Sequence, residues 1–180
     1  MATDLTGATA FAKVQALLSW NAEKALDKRT PVDRGTVTIA ESLAFGTGND
    51  YSNQIWADTR VVAASATDSL DLAGVLTNAF GDTITFAKVH AILVHNRSDE
   101  SLTTPAHTAS AAVLDVGAPA NGCLIFKAVG DLITLSAGDW FLAYFKAGKT
   151  VTAGTVDLFD LVETAALEAA YDIVILGESA

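Results

Sequence analysis

The sequence predicts an all-β protein: an antiparallel β-sandwich of about nine strands that follows an N-terminal helical or irregular arm. Short runs rich in β-branched and aromatic residues recur along the chain, and Gly, Asn and Asp separate them as turn formers. A length of 180 residues suits a single domain with a sizeable core. We expect the arm at residues 1–35 and the sandwich at residues 36–180.

The N-terminal segment has a different pattern from the rest. Between residues 8 and 29, apolar side chains recur at helical spacing, at Phe11, Val14, Leu17 and Leu18. A charged run follows, and Pro31 ends it. This pattern favours a short amphipathic helix, but polar residues beside Trp20 interrupt it, so an irregular arm is the alternative.

From residue 36 onwards the pattern is typical of strands, because polar and apolar residues alternate. Asp58 and Arg60 fall on the same face of one predicted strand, two residues apart, so they are expected to form an ion pair. The predicted strands are residues 36–40, 54–64, 83–95, 112–116, 123–129, 132–137, 140–146, 155–162 and 171–176.

The dipeptide Gly-Asp stands before an apolar run three times, at residues 81–82, 130–131 and 138–139. Glycine at the first central position permits the positive φ of a type II′ hairpin turn. Two of the three are spaced as tight hairpins, so residues 123–146 are predicted to form a three-stranded meander. The single cysteine, Cys123, lies in the first of these strands, where a buried and unreactive thiol is expected.

The charge balance restricts the classes of partner. The chain has 21 Asp and Glu against 11 Lys and Arg, a formal net charge of -10. Such a surface repels nucleic acid and anionic membranes, so neither is expected as a partner. Hydrophobic residues make up 51% of the chain and charged residues 18%, which favours a homo-oligomer whose subunits cover part of the apolar surface.

No arrangement of catalytic residues stands out. Gly148-Lys149-Thr150 resembles the end of a phosphate-binding loop, but Ala143 occupies the position of the required earlier glycine. His90 and His95 are five residues apart on one predicted strand, so they point to opposite faces and cannot share a metal. We therefore expect no enzymatic activity, no cofactor and no metal.

One polar cluster, residues 46–60, stands above the background. Its Tyr51, Trp56 and Arg60 are the residue types that dominate protein interfaces, and they predict a subunit contact. The alternative is a corner of the sandwich held by the pair of Asp58 with Arg60. Phe11 and Trp20 of the N-terminal arm are further interface candidates.

The order of several motifs resembles that of a group of small virion structural proteins of tailed bacteriophages. The likeness covers roughly residues 36–178 and leaves the N-terminal segment unmatched. The motifs are residues 53–60 (NQIWADTR), 70–76 (LDLAGVL), 80–81 (FG), 85–89 (TFAKV), 151–155 (VTAGT) and 171–177 (YDIVILG).

This resemblance implies a β-sandwich of jelly-roll type that decorates or cements a capsid, often as a trimer. The implied partners are the major capsid protein and sister subunits, at the outer capsid surface. The first residues lack the pattern of a secretory signal, so synthesis in the host cytoplasm is expected. The alternatives are a tail or baseplate component and a carbohydrate-binding jelly roll that uses Trp56, Trp140 and Tyr144.

Overall fold

The computed structural model describes residues 12–23, 32–78, 80–117 and 131–180. Within these ranges the chain consists of β-strands, turns and loops, with no helix. The described part of the protein is therefore all-β, which confirms the predicted fold class. None of the described residues belongs to a helix able to cross a membrane.

The strands differ widely in length, and several consist of only two residues. In chain order they are β1 (Ala12–Glu23), β2 (Val32–Phe45), β3 (Tyr51–Ser52), β4 (Gln54–Val62), β5 (Thr67–Asp71), β6 (Leu76–Thr77), β7 (Thr83–Ile84), β8 (Phe86–Asn96), β9 (Leu102–Thr103), β10 (Ala106–His107), β11 (Leu114–Gly117), β12 (Leu132–Leu135), β13 (Trp140–Thr150), β14 (Leu158–Glu163) and β15 (Ala169–Ser179).

Two four-stranded sheets form the body of the protein. The strand order is β13-β8-β15-β4 in the first sheet and β12-β11-β14-β5 in the second. Neighbouring strands within both sheets are antiparallel. Residues of both sheets belong to one hydrophobic core, so the sheets pack face to face.

Alternation along the strands produces this core. On β15, Ile173 and Ile175 are buried against the second sheet, while Asp172 before them and Val174 between them are only half-buried. The second sheet contributes Phe159 and Leu161 in the same alternating way. Burying one such side chain stabilises the fold by roughly 1.5–3 kcal/mol relative to leaving it in water.

A buried amide connects the two sheets. Asn96, at the end of β8, donates through Nδ2 to the carbonyls of Ala112 (3.0 Å) and Leu135 (2.9 Å), and Leu135 belongs to the second sheet. Its Oδ1 accepts from the backbone N–H (3.0 Å) and the hydroxyl (2.6 Å) of Ser98. Asn96 thus holds the two layers together at one end.

The predicted meander is wrong for its last two strands. β12 pairs with β11 and β13 pairs with β8, so the two strands belong to different sheets. The turn between them is closed by Asp139 N–H donating to Ser136 O (2.9 Å), which makes Gly138, with φ 87°, its second central residue. Gly138 N–H donates to Asn96 O (2.8 Å), which directs the chain across the sandwich.

Of the other two Gly-Asp turns, the one at Gly81 differs from the prediction and the one at Gly130 falls outside the described residues. Gly81 N–H donates to Asn78 O (3.0 Å), so Gly81 is the last residue of that turn and not its first central residue. Gly130, Cys123 and the predicted strand 123–129 lie outside the described residues.

The N-terminal segment is a β-hairpin where it is described. β1 pairs antiparallel with β2 over twelve residue pairs, from Ala12 with Leu43 to Glu23 with Val32. The predicted helix is therefore wrong for residues 12–23. Val14, Ala16 and Leu18 satisfy the two-residue period of a strand as well as a helical one, and backbone hydrogen bonds with β2 decide between them. The predicted boundary between residues 35 and 36 falls inside β2.

The remaining predicted strands are confirmed, with small changes of boundary. Residues 36–40 lie within β2, 54–64 correspond to β4, and 83–95 correspond to β7 with β8. Residues 112–116, 155–162 and 171–176 correspond to β11, β14 and β15. The strands that the sequence did not predict are β1, β3, β5, β6, β9 and β10.

Candidate interaction surface

The hairpin arm, residues 12–23 and 32–45, is the most distinctive surface feature. A ladder of twelve pairs is about 40 Å long. A third strand joins it only at its base, where Ala44 and Phe45 pair in parallel with β3. A two-stranded ribbon is marginally stable in water without a packed face, so the position of the hairpin arm depends on what its faces touch.

Only the base of the hairpin arm is packed against the body. Leu43 is buried, and with Val14 it contacts Ala91, Leu176 and Tyr144 on the outer face of the first sheet. Further along the ladder, Leu17 is 61% exposed and Ile39 is 65% exposed. Leu17 pairs with Thr38, and Ile39 pairs with Ala16, so the two apolar side chains point to opposite faces.

A groove of about 400 Å³ lies between β1 and the outer face of the first sheet. Its walls are mainly apolar and include Leu17, Leu93, Trp140 and Leu142. Trp140 is 61% exposed. An exposed indole within an apolar surface is typical of the centre of protein interfaces.

The loop that carries the hairpin arm, residues 46–53, is fastened to the middle of β13 and the end of β15; we call it the root loop. Ser52 Oγ and Asn53 N–H both donate to Gly177 O, at 2.7 and 3.0 Å. Asn53 Oδ1 accepts from Ser179 N–H (2.7 Å). The last residues of β15 therefore fix the base from which the hairpin arm extends.

Asp50 is the polar centre of the root loop. Its carboxylate accepts from Tyr144 Oη (2.9 Å) and forms an ion pair with Lys146 Nζ (2.8 Å). These two contacts hold the pKa of Asp50 below its ordinary value. Burial and the hydrogen bond to Asp50 raise the pKa of Tyr144 to about 12.

Glu178 fastens the other end of the root loop. Its Oε1 accepts from Gly48 N–H (2.8 Å) and lies 2.8 Å from His90 Nε2, while Oε2 lies 3.5 Å from Lys88 Nζ. Burial acts to raise the pKa of this carboxyl, but the contacts with His90, Gly48 and Lys88 outweigh burial and lower it. The carboxylate form is thus matched to three surrounding donors.

The structure places Arg60 in an ion-pair cluster. The predicted pair with Asp58 is confirmed at 3.2 Å. Asp68 is the closer partner, because it accepts from Arg60 Nε (2.6 Å) and Nη2 (3.0 Å) and also from Tyr171 Oη (2.7 Å). The hydrogen bonds with Asp68 raise the pKa of Arg60. The contacts of Arg60 therefore fit the alternative given for residues 46–60, a corner of the sandwich held by an ion pair.

The remaining interface candidates separate into different environments. Trp56 is 4% exposed, belongs to the core and donates through Nε1 to Thr77 O (3.0 Å). A side chain buried in this way is not available to a partner, so the selection of Trp56 from residue type alone was wrong. Tyr51 is 43% exposed, and its ring packs against Gly46. A Cβ added to Gly46 would lie 3.0 Å from Cδ1 of Tyr51. Trp20 lies on β1, pairing with Gly35, but its side chain is outside the described set, as is the whole of Phe11.

Sequence reasoning missed several residues of this surface. Asp50 was included only as a member of the polar cluster 46–60, and Tyr144, Lys146 and Glu178 were not connected with it. They meet only because the middle of β13 and the end of β15 lie beside the root loop, and this juxtaposition depends on long-range strand pairing. The run Gly46-Thr-Gly-Asn-Asp50 was the available signal, since a loop with two glycines permits close approach of other backbone segments.

Among the described residues, no group of three or more His, Cys, Asp or Glu side chains is placed to hold a metal ion. His90 is fully buried. His107 is also buried, with Nδ1 3.1 Å from Glu168 Oε1 and Nε2 3.2 Å from Ser98 O. These histidines serve as hydrogen-bonding groups within the fold.

No protein-family model matches the chain, and neither the curated proteins nor the solved structures contain a significant match to it.

Proposed function

We propose that this protein is a structural component of a bacteriophage virion that decorates or cements the capsid by binding major capsid subunits and sister subunits. The single observation that carries the proposal is the hairpin arm, which exposes Leu17 and Ile39 on opposite faces beyond its packed base. A ribbon that exposes a large apolar side chain on each face is suited to lie between neighbouring proteins, because each face can be covered by a different subunit.

We further propose that the sandwich is a jelly roll. Counting the eight strands of the two sheets in chain order, from β4 to β15, gives the order 6-3-8-1 in one sheet and 5-4-7-2 in the other. Strands one and two, three and four, five and six, and seven and eight therefore lie in opposite sheets. This alternation supports a jelly roll, an architecture used in viral capsid and lectin domains.

The charge of the protein supports a place on the outside of a particle. The formal net charge is -10, and the ion pairs on the described surface use several of the few basic residues. An acidic surface is repelled by the packaged nucleic acid and favours solubility before assembly. We therefore place the protein on the outer capsid surface.

The first test is the copy number in purified virions, measured by quantitative mass spectrometry. A decoration protein is expected in numbers comparable to the major capsid protein, and particles without it should lose their genome at a lower temperature. Absence of the protein from intact particles would refute the proposal. A few copies per particle would instead support the alternative of a tail or baseplate component.

The second test concerns the hairpin arm. We expect the double variant Leu17→Asp, Ile39→Asp to lose most binding to capsids that lack the protein, because charged groups would have to be buried at the contact. Val75→Asp is the matched control, since Val75 is 66% exposed but lies on the body. Binding is measured by co-sedimentation. Equal binding of both variants would contradict a contact through the hairpin arm.

A carbohydrate-binding function is a second candidate, supported by the exposed Trp140 beside the groove. Of the other two aromatics considered for this role, Trp56 is buried and Tyr144 donates its hydroxyl to Asp50. A glycan array with the purified protein tests this candidate. Binding that Trp140→Ala abolishes would favour it over a purely structural role.

A further inference from the structure

The first strand of the hairpin arm, β1, has a long open edge. In an antiparallel pair, every second residue directs its backbone N–H and C=O away from the neighbouring strand. Among the described residues, β2 is the one strand that pairs with β1. At twelve residues, β1 is about twice the usual length of a strand, so its open edge is a template on which another strand can pair.

The open edge of β1 lacks the features that normally protect an edge. Proline, bulges and charged side chains along the strand serve this purpose. The sequence of β1, AKVQALLSWNAE, has no proline, and its pairing with β2 has no register shift. Its two charged residues, Lys13 and Glu23, stand near opposite ends. The interior of β1 therefore leaves association unopposed.

Space for a further strand exists beside this edge. Four residues of β1 line the groove next to the first sheet: Lys13, Val14, Gln15 and Leu17. Consecutive residues of a strand point to opposite faces, so a wall that contains residues of both faces is the edge of the strand. None of the described residues of β2 lines the groove. The groove therefore runs along the open edge of β1.

The sequence of β1 is complementary to itself in the antiparallel direction. Two copies of β1 that are related by a two-fold axis at Leu18 place Lys13 of each copy opposite Glu23 of the other. Gln15 then stands opposite Asn21, so one amide residue faces another. Every other register separates Lys13 from Glu23. The two charges therefore select a single register, since opposite charges stabilise directly facing positions.

We propose that two copies of this chain associate by pairing β1 with β1 in antiparallel orientation about Leu18, which joins two hairpin arms into one four-stranded sheet. The pair of Lys13 with Glu23 then occurs twice. In this register, residues 19–23 of one copy run beside residues 13–17 of the other, the stretch that lines the groove. The second copy thus enters the groove and shields its apolar walls from water.

This proposal rests on the contact between sister subunits that forms part of the proposed function, and it names the segment that makes the contact. Pairing through the edge of β1 leaves Ile39 on β2 exposed for capsid subunits. A two-fold contact joins copies in pairs, so a trimer requires contacts through other surfaces in addition.

Disulfide formation between copies tests the register. Leu18 is the position that meets itself across the two-fold axis, and directly opposite Cα atoms lie about 4.5–5.5 Å apart, within the range of a disulfide. In a Cys123→Ser background, Leu18→Cys is expected to form a covalent dimer under mild oxidation. Gln15→Cys is the matched control, because its two copies are six positions apart, about 20 Å. Equal cross-linking of both variants, or none with Leu18→Cys, would overturn the proposal.

Charge reversal tests the same contact without added cysteines. Lys13→Glu is expected to raise the dissociation constant of the dimer about tenfold, since each contact then holds two repelling pairs. The double variant Lys13→Glu, Glu23→Lys should restore the wild-type value. Within one copy, Lys13 pairs with Ser42 and Glu23 with Val32, so neither substitution breaks a facing charge pair of the hairpin arm. Sedimentation at several protein concentrations measures the dissociation constants.

The β1 contact and the virion assignment fail in different ways. A chain that is monomeric at all concentrations, or a dimer that Lys13→Glu leaves unchanged, would overturn the pairing of β1 with β1. Presence of the protein in many copies per virion would still support decoration in that case. A dimer that follows the charge-reversal pattern, in a protein absent from virions, would support the pairing and refute the virion assignment.

Discussion

At some positions of this fold there is no room for even one additional carbon atom, and Gly177 is the tightest of the described glycines. A Cβ on Gly177 would lie 2.1 Å from Lys88 O and 2.7 Å from the Phe86 ring. The pairing of β8 with β15 shifts register between Leu176 and Gly177, and the backbones of the two strands approach closely there. In the sequence, Gly177 directly follows the predicted strand 171–176, and nothing there indicates that a side chain is excluded.

We expect Gly177→Ala to destabilise the protein by about 3 kcal/mol, because the obstructing atom is backbone and the sheet has to shift. Gly74→Ala is the matched control: no atom lies within 4 Å of its added Cβ, and the expected change is within about 0.5 kcal/mol. Urea unfolding followed by tryptophan fluorescence measures both. Similar midpoints for the two variants would show that the sheet accommodates the methyl group at position 177.

Residue-scale prediction from the sequence was successful where partners are close along the chain. The pair of Asp58 with Arg60 was predicted from spacing alone and is present. The closer contact of Arg60 with Asp68 joins β4 and β5, which belong to different sheets, and the Tyr171 hydroxyl reaches Asp68 from β15. Such partners depend on sheet order, which local periodicity does not contain.

At the scale of elements, strand positions were predictable and strand partners were not. Alternating residues located β4, β8, β14 and β15, because a half-buried strand imposes its period on the sequence. The first strand of the hairpin arm, β1, was assigned to a helix or an irregular arm because its apolar residues fit both periods, and pairing with β2 is a long-range effect. The turn at Gly138 was mistaken for a hairpin because its hydrogen bond to Asn96 comes from outside the turn.

The root loop provides a prediction for an element. Asp50→Asn should lower the pKa of Tyr144 from about 12, because the substitution removes the carboxylate that accepts its hydroxyl proton. Burial, the larger cause of the shift, remains, so the pKa should stay above the ordinary value near 10. Ultraviolet titration of the phenol in a Tyr51→Phe background measures the change. An unaltered titration would mean that the hydrogen bond does not form in solution.

At the scale of the whole molecule, closely spaced strands and turn residues were sufficient to predict an all-β protein, and the described residues confirm it. The order of strands within each sheet was not accessible, since it depends on which distant segments fit together in one core. Tyr51 and Arg60 were selected as interface candidates from residue type, and their role in a contact stays a prediction. The exposed apolar residues Leu17 and Ile39 of the hairpin arm were not selected, because exposure is a property of the assembled fold.

A homo-oligomer, with a trimer favoured, remains a prediction for the intact protein. If sister subunits cover the hairpin arm, analytical ultracentrifugation should show an oligomer that Leu17→Asp, Ile39→Asp dissociates and Val75→Asp does not. A monomer at all concentrations would mean that only other virion proteins cover this surface. The virion and capsid-binding tests would still apply in that case.

The position of β15 between β8 and β4 has a consequence for biosynthesis. During translation, β4 and β8 leave the ribosome long before residues 169–179. Each of the two strands pairs with β15, so they are not joined in one sheet until β15 enters between them. A nascent chain therefore carries open strand edges that invite aggregation. Closure of the first sheet has to wait until the segment that completes it has been made.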